Sequence, residues 1–106
     1  MNDAIDLNTA HEAFKEASEK YKKSLKLLGN KKYLLMQKEG EVHEAHWSKT
    51  QTDEMSMSEF NQLLKHETWQ EKMSVDVART ALNIAKQEVE DTEQNLNVIK
   101  KLISIN

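Results

Sequence analysis

The sequence predicts an all-α protein, an antiparallel two-helix coiled-coil hairpin, and three observations carry that prediction. Apolar residues recur at every seventh position over two separate stretches. The chain has no proline and only two glycines, so most of the punctuation that strands and long loops require is missing. Between the two stretches lies a polar segment, SKTQTDEMSM, that ends in a helix-start signature.

The first helix is expected over about 4–47. Leu7, Phe14, Tyr21, Leu28, Leu35 and Val42 mark its seam, with Ala10, Ala17, Ser24, Lys31, Lys38 and Ala45 at the intervening positions. Gly29 followed by Asn30 reads as a helix stop, and a shorter helix, a turn there and a third helix form the alternative. The seven-residue phase passes through both residues unbroken, so one continuous helix is expected.

The turn is expected over about 48–57, closed by Ser56 with Glu59 three residues on, a capping box. The second helix then covers about 58–104, with a seam of Val75, Leu82, Val89, Leu96 and Ile103 and intervening Ala78, Ala85, Thr92 and Ile99. The phase from Phe60 and Leu64 is expected to fail before Val75. A turn centred near Asp53 sets Phe14 against Thr92, Tyr21 against Ala85, Leu28 against Ala78, Ala17 against Val89 and Ala10 against Leu96. Large residues then meet small ones, as close packing requires. Lys20 is expected near Glu88, and His11 near Glu93. Residues 1–106 are thus read as a single helical-hairpin domain, one that completes a four-helix or mixed bundle with a partner.

That last step rests on apolar residues the seam does not use. Trp69, Met73, Val77 and Ile84 form a second stripe on the far side of the second helix, and Leu27 and Leu34 flank the first seam. Two helices cannot bury both stripes, so these residues are candidates for binding a helical protein or a second copy of the chain. Met36 joins Met73 as an adaptable contact. Trp47 has two readings: it packs on Phe60 and Leu63 to lock the hairpin tip, or it meets a partner there.

Other functions find little footing. The net charge is -3, and only Arg79 among the fifteen basic residues is an arginine, which argues against nucleic acid as a partner. The acidic run Glu88, Glu90, Asp91 and Glu93 reads as a solvated helix face. No apolar run approaches the roughly 20 residues that span a bilayer, so no membrane insertion is expected. The absence of cysteine and of a secretory leader points to the cytoplasm, with co-export alongside a partner kept open. His43 and His46, with Glu39 and His66, have permissive metal spacing, but they read as polar residues near a helix end. Neither a phosphate loop nor a nucleophile elbow is present, and no metal, cofactor or enzymatic activity is expected.

A helical hairpin with Trp47-Ser48-Lys49 at its turn resembles the small Trp-x-Gly proteins of bacterial type VII secretion. Lys49 stands where that family has glycine, and the expected turn is longer than the family's. The family's export signal places an acidic residue four positions after a tyrosine beyond the second helix, and the only tyrosines here are Tyr21 and Tyr33. The chain is therefore more similar to the helical accessory proteins that escort Leu-x-Gly toxins to the same machine. That resemblance implies a non-enzymatic adaptor, chaperone or targeting factor that binds a toxin or effector. The alternatives are a structural, self-associating coiled coil and a stalk or escort component of flagellar or type III export.

Overall fold

A computed structural model of the chain describes residues 3–105, with side chains from residue 6 onward. It consists of α1 (Asp3–Gln51) and α2 (Met57–Ile105), joined by a short turn in an all-α helical hairpin. Glycine does not break α1. Gly29 and Gly40 both lie on its exposed face, neither takes a positive φ, and a Cβ added at either would meet nothing within 4 Å.

The turn is shorter than the composition of residues 48–57 implied, because α1 runs four residues further, through Ser48, Lys49, Thr50 and Gln51. Hydroxyls at the helix end account for the extension. Thr50 Oγ1 donates to the Trp47 carbonyl at 2.6 Å, and Thr52 Oγ1 lies 3.4 Å from the carbonyls of Ser48 and Lys49. The carbonyls of Ser48 and Lys49 are among the four that a helix C-terminus otherwise leaves to water. Asp53 then takes the left-handed conformation, with φ 61°, which a short polar side chain tolerates better than a branched one. The Met55 N–H returns to the Lys49 carbonyl at 3.1 Å.

The start of α2 follows the expected signature. The Glu59 N–H donates to Ser56 Oγ at 3.1 Å, the Ser56 hydroxyl lies 3.2 Å from Glu59 Oε1, and the Phe60 N–H bonds the Ser56 carbonyl at 3.0 Å. The glutamate thus reaches back to the serine hydroxyl rather than to its backbone N–H, as the usual capping box would have it.

The chain divides into two compact units: one is formed by the segments up to Lys26 and from Thr80 on, the other by Leu27–Arg79. In the first unit Ala10, Ala17, Ala85 and Leu96 are buried, while Leu7, Phe14, Tyr21, Leu82, Val89, Ile99 and Ile103 are half-buried. The small side chains are covered between the helices, whereas the large ones here other than Leu96 keep one flank uncovered. The seam residues are those expected. Of the two expected flanking pairs one forms, with Lys20 Nζ 3.5 Å from Glu88 Oε1. His11 and Glu93, the other expected flanking pair, are both exposed.

In the second unit Leu28, Val42, Phe60, Val75 and Ala78 are buried. Two expectations need correction. The seam of α2 does not lapse between Phe60 and Val75, because Thr68, one heptad before Val75, is fully buried, and Leu64 and Glu71 are half-buried beside it. A threonine can hold that place because its Oγ1 donates to the Leu64 carbonyl at 2.7 Å, which satisfies the hydroxyl within its own helix. Ala45, in turn, is exposed, and burial near the end of α1 passes from Val42 to His46 and Lys49. A helix of 3.6 residues per turn drifts past a strict seven-residue repeat, and here the side chains follow the drift. Lys31 and Lys38 are half-buried at seam positions, a place their aliphatic stems suit, and Lys38 reaches Glu41 at 4.0 Å.

Candidate partner-binding surface

The aromatic residues near the turn form a cluster within the second unit. His43 stacks on Trp47 with ring centroids 4.7 Å apart, and Phe60 meets Trp47 edge-on at 5.4 Å and His43 at 5.7 Å. One helical turn separates His43 from Trp47 on α1, which aligns their rings, and Phe60 arrives from the first turn of α2 to close the group. Trp47 is half-buried, so much of its surface is committed to packing and the rest borders solvent. Of its two readings, the packing one has a geometric partner in Phe60.

Trp69, Met73 and Val77 lie four residues apart on one face of α2 in the same unit, 51%, 56% and 66% exposed. Their spacing carries them off the seam that Thr68 and Val75 define, so the hairpin's own packing leaves them uncovered. Leu27 and Leu34, seven residues apart on α1, are about half exposed, and Tyr33 and Met36 are exposed beside them in sequence. Ile84 belongs to the other unit and is 66% exposed. The candidates from sequence are therefore surface residues throughout, with the partial exception of Trp47.

Sequence reasoning missed Val98, Leu102 and Ile105, which are exposed on α2 in the first unit. Val98 and Ile105 continue the seven-residue spacing of Ile84, and that spacing was the available signal. Asp91 interrupts it and hides the pattern in a search for unbroken apolar repeats. Leu25 was also missed.

The electrostatics are those of an exposed, mixed surface. Lys20–Glu88, Lys38–Glu41 and Arg79–Asp76 are solvent-facing pairs, each worth under about 1 kcal/mol. His46 Nδ1 and Glu71 Oε2 are buried atoms without a hydrogen-bond partner. His66 is exposed, His43 is engaged with Trp47, and among the described residues no group of three or more side chains is placed to hold a metal ion. Nor, among the described residues, is any helix long and apolar enough to cross a membrane. Comparison with models of known families, with curated proteins and with solved structures finds no match to this chain.

Proposed function

We propose that this chain is a non-enzymatic helical adaptor, chaperone or targeting factor of a bacterial protein secretion system, and that its partner is a helical toxin or effector. The observation that carries the reading is the exposed stripe of Trp69, Met73 and Val77 on a helical hairpin. Tryptophan and methionine are enriched where a groove or helix face receives a partner helix, and a stripe at helical spacing matches the anchors such a helix presents. The resemblance to the accessory proteins of type VII toxins supplies the secretion context, and co-export with the bound partner follows from it.

Trp69→Glu combined with Met73→Glu tests the reading. Both side chains are exposed, so helicity should be retained, while capture of the partner from the native host should fall by tenfold or more, given about 1.4 kcal/mol per tenfold and the removal of two anchoring side chains. Undiminished capture of every partner would remove the support for this reading. Self-association through the same stripe is the second reading, supported by the same exposed side chains. Light scattering over a concentration series tests that alternative, and a monomer at all concentrations is the outcome against it.

A further inference from the structure

Ile84, Asp91, Val98 and Ile105 stand seven residues apart on α2, all in the unit that begins again at Thr80, and all four are exposed. They form a second heptad line along the helix, offset from the seam of Leu82, Val89, Leu96 and Ile103 that packs on α1. Its apolar members are β-branched, the residue type that suits alternate core positions of a two-stranded coiled coil. Its one polar member is an acid, flanked by Gln87, Glu90 and Gln94. The Asp91 carboxylate accepts a hydrogen bond from Gln87 Nε2 at 3.0 Å, a contact within α2 that leaves its charge in place.

We infer that this line is a docking surface for a partner helix that carries aliphatic residues at seven-residue spacing and a lysine or arginine in the layer of Asp91. The inference rests on the adaptor reading and adds the chemistry of the partner. Charge decides the occupant. A second copy of the chain in parallel register would set Asp91 against Asp91, with Glu90 of both copies alongside, and like charges brought together in an interface oppose it. In antiparallel register the apolar line would meet Gln87, Gln94 and Lys101 of the other copy on one flank, or Ala81, Glu88, Asn95 and Leu102 on the other, so the layers on either side of Asp91 would be polar. A helix that is basic at this layer satisfies both the apolar line and the acid, and the single polar layer fixes its register.

The test is a fluorescence-anisotropy titration of the full chain with two synthetic helical peptides. Both carry isoleucine at heptad spacing, and they differ only in lysine or glutamate at the layer of Asp91. The lysine peptide should bind more tightly by about tenfold or more. Asp91→Lys should reverse the preference, and Ile84→Glu with Val98→Glu should abolish binding of both peptides. Should the double substitution disturb helicity, the charge reversal at exposed Asp91 still decides the matter. Equal binding of the two peptides, or none by either, would overturn the inference, as would a dimer of the chain that Ile84→Glu dissociates. Those results leave the adaptor reading to its own test at Trp69 and Met73.

Discussion

Ser56 shows how much one side chain contributes to where this chain reverses. It satisfies the Glu59 N–H at the start of α2, a donor that would otherwise face water, and its own hydroxyl is held by Glu59. Replacing it with alanine should cost about 1 kcal/mol. Thermal unfolding followed by circular dichroism would register this as a drop of several degrees in Tm, about 4–8 °C for a domain near this size. Phe60, four residues on, is buried against Trp47 and His43. Phe60→Ala should cost about 3–5 kcal/mol, and in a Trp69→Phe background quenching of Trp47 fluorescence by added iodide should increase as the ring loses its cover. Unchanged quenching would show that Phe60 does not shield the indole. The capping box at Ser56 was legible because it depends only on two residue types at fixed spacing. The end of α1 was not, since Thr50 and Thr52 look like loop chemistry until their hydroxyls are seen bonding back to helix carbonyls.

For the helices the controlling variable is the repeat. The seams of Leu7 to Val42 and of Val75 to Ile103 were readable because burial on a helix is periodic, and the Lys20–Glu88 contact agrees with the register derived from large-to-small matching. Thr68 escaped because a polar residue carries the phase there, and Ala45 because a strict heptad ignores the drift of a straight helix. Gly29 was ambiguous for a different reason: glycine is common at helix ends, and only the intact phase on both sides argued for continuity. Since a Cβ at Gly29 or Gly40 meets nothing, Gly29→Ala and Gly40→Ala should each stabilise the chain by about 1 kcal/mol, as measured by denaturant unfolding. A loss of stability at either position would mean that the helix there is not the ordinary right-handed one.

At the scale of the whole molecule the dominant fact is uncovered apolar surface. Trp69, Met73, Val77, Ile84, Val98, Leu102 and Ile105 all lie on α2 and all are exposed, whereas the alanines between the helices are buried. The first four were identifiable from their spacing. The last three were not, because Asp91 interrupts their line and because a surface leucine or isoleucine taken singly needs no explanation. Binding to the folded form alone raises apparent stability with ligand concentration, so the Tm of the purified chain should climb when its partner is added. A Tm indifferent to a saturating partner would place the interaction on an unfolded or rearranged form.

Asp53 also has a bearing on time. The contacts beside its left-handed turn, such as Trp47 with Phe60, join residues close in sequence, whereas Lys20 and Glu88 are 68 positions apart. Closing a short loop costs less chain entropy than closing a long one, and each pair of layers formed shortens the loop that the next must close. Folding is then expected to start beside Asp53 and run toward the termini, and unfolding to start at the termini. A partner helix that grips the part of α2 beyond Thr80 holds the last layers to form and the first to open, so its binding would act chiefly on the rate at which the hairpin comes apart.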